Sequence, residues 1–136
     1  TDYNNRDGTI VTCSQDYNSQ FRAWQIFAQG QANGTNEFAI VTNPTWPVIV
    51  QIQLANAVPI WQIAMRGRIG ASSAFTTWQL RGSVDGTTYV TLINSTQVLT
   101  SGLGSPTPIY LIPVSPPNIN AFKYFSIVFY CCKWNK

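Results

Sequence analysis

Short apolar runs separated by turn signals recur along the chain, and no segment of useful length repeats with the period of a helix. The clearest run is WPVIVQIQL at residues 46–54, in which Val48, Val50, Ile52 and Leu54 fall on alternate positions. Alternation with a period of two places one set of side chains on one face of a strand. The pattern therefore predicts an all-β chain.

Turn residues divide the sequence into about eight strands at the spacing expected of a β-sandwich or jelly roll. The strongest hairpin signal is Asp85-Gly86, and a turn is also predicted at residues 55–57. We expect the tryptophans in or beside the strands, Trp24, Trp46, Trp61 and Trp78, to pack in the core. The length suits a single domain covering residues 1–136. The predicted strands cover residues 9–13, 38–42, 46–54, 58–68, 74–84, 87–96, 108–114 and 121–132.

The charge pattern argues against nucleic acid as a partner. Charged residues make up 10% of the chain, against ~25% in typical globular proteins, and the net charge is +3. The basic residues are dispersed, and only Arg66 and Arg68 form a close pair, so the basic stripe of a nucleic-acid binder is missing. The sequence also contains no apolar run of the length that spans a bilayer.

The chain lacks the side chains that most enzymes use. It contains no histidine, which is the commonest general base and the commonest metal ligand. Glycoside hydrolysis needs two opposed carboxyl groups, and the five acids are scattered. Asp16 and Glu37 both fall in predicted loops that could share one end of the sandwich, and we interpret them as solvated loop residues and not as a catalytic pair. We therefore predict that the protein is not an enzyme.

Three cysteines leave the redox state open. Cys13 lies in the first predicted strand and Cys131 in the last, so the two would pair if the terminal strands of the sandwich were neighbours. Reduced thiols that act as small apolar side chains fit the sequence equally well. The vicinal pair Cys131-Cys132 is not expected to bond to itself, because that bond is strained.

The order of the segments resembles the discoidin family, also called the coagulation-factor C-type domains. The resemblance covers residues 11–132, and its stretch from Ser14 to Trp24 is similar to copies in bacteriophage and viral tail-fibre proteins. It implies a jelly-roll β-sandwich of about eight mainly antiparallel strands. The segments that carry it are CSQDYNSQFRAWQIFAQG, WPVIVQIQL, VPIWQIAMRGR, FTTWQLRGSVDGTTYVTL and KYFSIVFYC.

The resemblance also implies that ligands bind on loops at one end of the sandwich, here residues 16–20, 29–37 and 66–73. Amide side chains suit sugar hydroxyls, and arginine forks suit vicinal hydroxyls or a carboxylate. Arg66 fits a structural ion pair equally well, and Asn33 and Asn36 also suit turns. The candidate ligand-binding residues are Tyr17, Asn18, Gln31, Asn33, Asn36, Glu37, Arg66, Arg68, Ser72 and Ser73.

The sequence departs from the family where sugar-binding members often place a calcium ligand. Gln29 stands where many members have aspartate, in the segment FAQG at residues 27–30. Glu37 is the only acid between Arg22 and Asp85, and calcium needs several oxygen ligands with carboxylates among them. We therefore expect no calcium and no other cofactor.

The resulting expectation is a carbohydrate- or receptor-binding module on an extracellular or virion surface, as the head of a viral or phage fibre. Its partner would be a cell-surface glycan or a glycosylated receptor, bound by a trimeric or otherwise multivalent assembly. The alternative is a structural, assembly or protein-interaction module that binds no sugar. Membrane insertion is not expected, because Ile69 is the only apolar side chain suited to a loop tip.

Overall fold

A computed structural model describes residues 8–15, 43–66, 73–96 and 109–134, with only the backbone at residues 66, 73–75 and 132–134. The predicted strand at 38–42 and most of the segment 14–20 lie outside these residues. Every element in the described part is a strand, and this part of the chain contains no helix that could span a membrane. The strands are β1 (Ile10–Cys13), β2 (Val48–Val58), β3 (Gln62–Arg66), β4 (Ser73–Ser83), β5 (Val90–Ser95), β6 (Ile109–Pro113) and β7 (Phe122–Trp134).

Within the described residues the strands form two antiparallel sheets. The larger sheet has five strands in the order β1-β2-β7-β4-β5, and the smaller pairs β3 with β6. The long strand β7 lies at the centre, where Ile127 is in register with Val50 on one side and Leu80 on the other. Most neighbours in the sheet are distant in sequence, so the sheet depends on non-local pairing. The predicted all-β sandwich is confirmed.

One face of the large sheet forms the hydrophobic core. Alternate residues of β2 point inward, as predicted, and Val48 and Val50 are fully buried while Leu54 is partly buried. Two aromatic side chains, Trp78 and Phe129, are the largest fully buried groups. The small sheet packs against this face through Ile63, Met65 and Ile112.

Strand β2 is longer than the sequence indicated, and the predicted turn at residues 55–57 is wrong. β2 continues to Val58 across a register shift between Gln53 and Val58. The intervening residues Ala55, Asn56 and Ala57 are exposed. Residues 54–57 of β2 face the single residue Lys123 of β7, and such an irregular stretch looks like a turn in sequence when most of its side chains are small and solvated. The following strand begins only at residue 62, not 58.

The tryptophans divide into buried and exposed. Trp78 is fully buried, which confirms its prediction, and Trp46 is partly buried against the core. Trp61 is 59% exposed, so its placement in the core was wrong. It lies in the bend before β3, where its carbonyl accepts a hydrogen bond of 2.8 Å from the N–H of Val114. Trp24 lies outside the described residues.

The predicted hairpin at Asp85-Gly86 is confirmed, with Gly86 at a φ of 78° that favours glycine. The return strand begins at Val90, not at residue 87. The reason is local. Oδ1 of Asp85 accepts hydrogen bonds of 2.8 Å from the N–H groups of both Thr87 and Thr88, which draws this backbone into the turn.

The structure does not join Cys13 to Cys131, and both are thiols. Cys13 lies on edge strand β1 in register with Val50, which pairs with Ile127 of β7. Cys131 lies four positions further along β7, with β2 between the two cysteine strands. A disulfide requires Cα atoms within about 7 Å, and a separation of two strands exceeds that. The terminal strands are not neighbours, so the condition for the disulfide is not met.

Candidate functional site

The strand directions give the sandwich two distinct ends. Cys13, the last residue of β1, is in register with Val50 near the start of β2, and Trp134, the last residue of β7, is in register with Ser73, the first residue of β4. β1 and β7 therefore end at the same end of the sandwich at which β2 and β4 begin. β5 also ends towards this end, since Ser95 pairs with Trp78, which lies level with Val48 at the start of β2 because both are in register with Phe129. We call this the loop end. The opposite end, which carries the Asp85-Gly86 turn and the start of β7, is called the hairpin end.

The three predicted binding loops fall in two connections between strands, and both connections are flanked by residues at the loop end. Residues 16–42 connect the end of β1 to the start of β2, and residues 67–72 connect β3 to β4. A third connection, residues 97–108, joins β5 to β6. Antiparallel pairing brings the ends of alternate strands to one side of a sheet, so one end of the scaffold carries all three connections.

Polar side chains join the two flanks of the segment 16–42. The Gln15 amide donates to the carbonyl of Thr45 through Nε2 and accepts from its N–H at Oε1, at 2.8 Å. Ser14 is bonded to Ile49 in both directions. Its N–H donates to the Ile49 carbonyl at 2.9 Å, and its Oγ accepts from the Ile49 N–H at 3.0 Å. Neither contact could be predicted from the sequence, because the partners of Gln15 and Ser14 lie some thirty positions away.

Of the predicted ligand-binding residues, the structure describes the backbone of Arg66 and Ser73. Arg66 ends β3 opposite Ile109, and Ser73 begins β4 opposite Trp134. Both positions are at the loop end, and their roles in ligand binding stay predictions. The others lie outside the described residues, and their roles stay predictions: Tyr17, Asn18, Gln31, Asn33, Asn36, Glu37, Arg68 and Ser72.

Cys131 lies beside two threonine hydroxyls in the half of β7 that leads to the loop end. Its Sγ is 2.9 Å from Oγ1 of Thr76 and 3.6 Å from Oγ1 of Thr77. These hydrogen bonds, that of Thr76 first, lower the pKa of the Cys131 thiol. In the described ranges, no three side chains of His, Cys, Asp or Glu lie close enough together to hold a metal ion. The predicted absence of calcium involves Gln29, outside those ranges, and stays a prediction.

The outer face of the large sheet carries a polar network that the sequence analysis did not identify. Oε1 of Gln79 accepts hydrogen bonds from Arg81 and Tyr130, and Nε2 of Gln79 donates to Oδ1 of Asn94 at 3.2 Å. The signal was present in β4, where Gln79 and Arg81 alternate with the buried Leu80. The site residues were predicted from loops only, so these polar residues of β4 were not among them.

An apolar cavity of about 250 Å³ lies between the sheets, lined by Ile52, Leu54, Ile63 and other side chains. Thr9 and Gln62 are the polar residues among those that line it. Sugar hydroxyls need hydrogen-bond partners, and an apolar wall leaves them unsatisfied. This cavity therefore does not suit the ligand class that the sequence predicted.

No family model and no curated protein matches the chain. Solved structures do match it. The CpGH89CBM32-5 structure from Clostridium perfringens, in complex with GalNAc-β-1,3-galactose, has a TM-score of 0.70 at 15% identity, covering 90% of this chain and 84% of that one. An F5/8 type C domain from Bacteroides fragilis has a TM-score of 0.60 at 19% identity, with coverages of 91% and 82%.

Discoidin II from Dictyostelium discoideum also matches, with a TM-score of 0.66 at 13% identity, covering 90% of this chain and 49% of that one. All three identities are low, so these similarities establish the fold and leave the ligand open. The chain has the β-sandwich fold of the discoidin domains and the family 32 carbohydrate-binding modules. The predicted fold class is confirmed.

Proposed function

We propose that the chain is a non-catalytic module that binds a glycan, or a glycosylated receptor, through the connections at the loop end. The observation that carries this proposal is topological. The three predicted binding loops belong to connections whose described flanks meet at one end of a rigid sandwich. Binding proteins commonly place recognition on loops that a stable scaffold positions. The matched Clostridium perfringens structure contains a disaccharide, which supports glycan as the ligand class.

In the proposed site, each residue type has a separate task. Arg68 and Arg66 supply guanidinium groups that donate to vicinal hydroxyls or to a carboxylate on the sugar. Tyr17 supplies an aromatic face for the apolar side of a pyranose ring. Polar side chains of the connections donate to and accept from the remaining hydroxyls: Asn18, Gln31, Asn33, Asn36, Glu37, Ser72 and Ser73.

Catalysis plays no part in this proposal. Asp85 is the one acid in the described ranges, and its Oδ1 already accepts from Ser83, Thr87 and Thr88. It sits at the hairpin end, remote from the proposed site. A hydrolase of sugars needs a pair of opposed carboxyl groups, and Asp85 has no described carboxyl partner. Glycan binding needs no such pair.

We further propose that the module works on an extracellular or virion surface, as part of a viral or phage fibre. The support for a fibre is the sequence resemblance at residues 14–24. Polar contacts on a few loops give low affinity per site, so strong attachment would come from several copies acting together.

A glycan-array screen of the purified chain, displayed multivalently, tests the proposal. The test variant is Arg68→Ala/Tyr17→Ala at the loop end. The matched control is Lys123→Ala/Trp61→Ala at the hairpin end, which also removes one cation and one aromatic ring. We expect glycan binding by the native chain and the control and its loss in the test variant. Binding that survives in the test variant would reject the site, and binding by neither the native chain nor the control would reject the function.

An assembly function is the second candidate, because β6 exposes large apolar side chains. Leu111 is 62% exposed and Ile109 54%. Exposed apolar surface of this kind often marks an interface when the residues are contiguous. Light scattering of the native chain beside Leu111→Ser/Ile109→Ser separates the two functions. A stable oligomer that this variant dissociates, in a chain that binds no glycan, would favour assembly.

A further inference from the structure

Arg81 lies on the outer face of the large sheet, two residues before β4 ends at the hairpin end, and therefore away from the loop end. It follows the buried Leu80 on β4 and is in register with Ser126 of β7. Its side chain is half-buried. The stem of an arginine commonly lies over neighbouring side chains while its guanidinium stays accessible, so the orientation of this guanidinium depends on its hydrogen-bond partners.

Two neighbours hold the guanidinium of Arg81 in one orientation. Oε1 of Gln79 accepts from Nε of Arg81 at 3.0 Å and from Nη2 at 2.7 Å. Nη2 also donates to the hydroxyl of Tyr130, and that hydroxyl donates to Oε1 of Gln79 at 2.9 Å. The three side chains therefore form a closed ring of hydrogen bonds. This ring occupies Nε and Nη2, while Nη1 donates to none of the described residues.

The charge of Arg81 is not neutralised by a described carboxylate. Asp85 is the only acid in the described ranges, and its Oδ1 accepts from Ser83 at 2.9 Å and from two backbone N–H groups of the turn. The partners of Arg81 in the ring, Gln79 and Tyr130, are both neutral. A fixed guanidinium with one nitrogen still able to donate, and with its charge not balanced by these partners, is suited to an oxyanion.

We propose that the outer face around Arg81 is a second binding site, which takes a sulfate ester or a carboxylate on an acidic glycan. Nη1 of Arg81 donates to the oxyanion. The hydroxyl of Tyr130 and the amide of Asn94 lie beside it in the same network and are available to neighbouring sugar hydroxyls. That the oxyanion belongs to a glycan rests on the proposed function. The oxyanion site itself does not, because it uses no residue of the loop end.

The site would give the module a preference for acidic glycans. The connections at the loop end bind one sugar, and the outer face binds a charged substituent further along the same glycan or on a neighbouring glycan. A single charge-assisted contact near the surface is screened by salt, so the second site should weaken as ionic strength rises. The loop-end contacts, which are mostly uncharged, should depend less on salt.

Nuclear magnetic resonance of the native chain tests the site without any substitution. The probes are inorganic sulfate, methyl glucuronoside and galactose 6-sulfate, with methyl galactoside as the uncharged control. We expect the Nε–H signal of Arg81 to shift with galactose 6-sulfate or with the glucuronoside and not with methyl galactoside. The two charged sugars distinguish a sulfate ester from a carboxylate. A shift with inorganic sulfate alone, or with none of the probes, would overturn the proposal.

Substitutions of Arg81 then measure how much this side chain contributes to binding of the charged sugar. Arg81→Gln should weaken binding of the charged sugar that shifts the signal by about tenfold, because a hydrogen bond to a charged group is lost. Arg81→Lys keeps the charge and loses the fork, so we expect it to weaken binding nearly as much. Lys123→Gln removes one charge from β7 and is the matched control, with unchanged binding expected. Equal weakening in Lys123→Gln and Arg81→Gln would show a general charge effect and overturn the site.

The two sites fail separately. Loss of all glycan-array signals with a retained shift of Arg81 would reject the proposed function and keep the oxyanion site. If Arg81→Gln bound acidic glycans on the array as strongly as the native chain does, the oxyanion site would be rejected and the proposed function would stand. Thermal unfolding of each variant shows whether it is folded, and the native-chain titration decides the matter if Arg81→Gln does not fold.

Discussion

The hairpin end and the loop end of the sandwich are built on opposite plans. At the hairpin end, the turn at Asp85 is short and its polar groups bond to one another, since Ser83 Oγ also accepts from the N–H of Gly86 at 2.9 Å. At the loop end, three connections leave the sheet, and Gln15 and Ser14 bond the flanks of the first. Under the proposed function, this difference is a division of labour in which the hairpin end stabilises the fold and the loop end binds the ligand.

The core supports this division. At the hairpin end, Gly82 lies under the ring of Phe122, and the two aromatic rings of Phe122 and Phe125 meet edge to face with centroids 6.2 Å apart. Such pairs contribute about 0.5–1.5 kcal/mol beyond the area they bury. Substitutions at the hairpin end should therefore change stability and leave binding intact, whereas substitutions at the loop end should do the opposite.

The largest effect on stability is expected for Gly82→Ala. A Cβ atom at this position would lie 2.8 Å from Cγ and Cδ2 of Phe122 and 3.0 Å from Leu92, so the ring must move. We expect a loss of about 1–3 kcal/mol in the free energy of unfolding. Urea unfolding measures it, with the exposed Val84→Ala as the control. A stability equal to that of Val84→Ala would show that the core at this end is loosely packed.

Asp85→Asn tests the turn itself. Backbone hydrogen bonds from Thr88 and Thr87, followed by that of Ser83, hold the pKa of Asp85 well below its ordinary value of 3.8. A lowered pKa in the folded state means that the ionised group stabilises the fold above pH 3.8, and that this contribution is lost as the pH falls further.

The variant should therefore be less stable than the native chain at neutral pH, by an amount that shrinks as the pH falls below 3.8. Urea unfolding at neutral and at acidic pH measures both differences. A difference that is the same at the two pH values would mean that the charge of Asp85 does not stabilise the turn.

Gln15→Ala tests the loop end. The variant loses both hydrogen bonds to Thr45, and because they are exposed we expect a cost of only about 0.5–1 kcal/mol in unfolding free energy. Glycan binding should fall by more than that cost implies, since the flanks of residues 16–42 are no longer held together. Gln51→Ala on the exposed side of β2 is the matched control. Unchanged glycan binding in Gln15→Ala would break the proposed link between this contact and the site.

The smallest effect is expected for Trp61→Ala. The side chain is 59% exposed, so its removal should change the unfolding free energy by less than about 1 kcal/mol. Glycan binding should also be unchanged, because Trp61 lies near the hairpin end. Isothermal calorimetry with a glycan found on the array measures binding. A loss of affinity for the glycan in this variant would mean that Trp61 contacts the sugar at the hairpin end, which contradicts the proposed site.

The sequence predicted the parts of the fold that local patterns encode. The alternation of Val48, Val50 and Ile52 and the Asp85-Gly86 turn were sufficient for β2 and for the β4–β5 hairpin. It failed where a tertiary relation decides the outcome. The bulge after Gln53 looked like a turn, and the exposure of Trp61 depends on where the small sheet begins.

Candidate binding loops could be predicted from the sequence, whereas the side-chain contacts that support their flanks could not. The loops were assigned through a family resemblance, and the strand order now places their flanks together. Gln15 contacts Thr45, which is thirty positions away in sequence. In the hydrogen-bonded ring, Tyr130 is about fifty positions from Gln79 and Arg81, and only the pair Gln79 and Arg81 is local. A single sequence carries no signal for contacts of that range.

The proposed function requires that ligand binds at the loop end and not at the hairpin end. Backbone amide shifts of the isotope-labelled chain, recorded with a glycan found on the array, test it most directly. We expect shifts at Gln15, Thr45, Arg66 and Ser73, with the amides of residues 86–88 unchanged. Shifts confined to residues 86–88 would contradict it and move the binding site to the hairpin end.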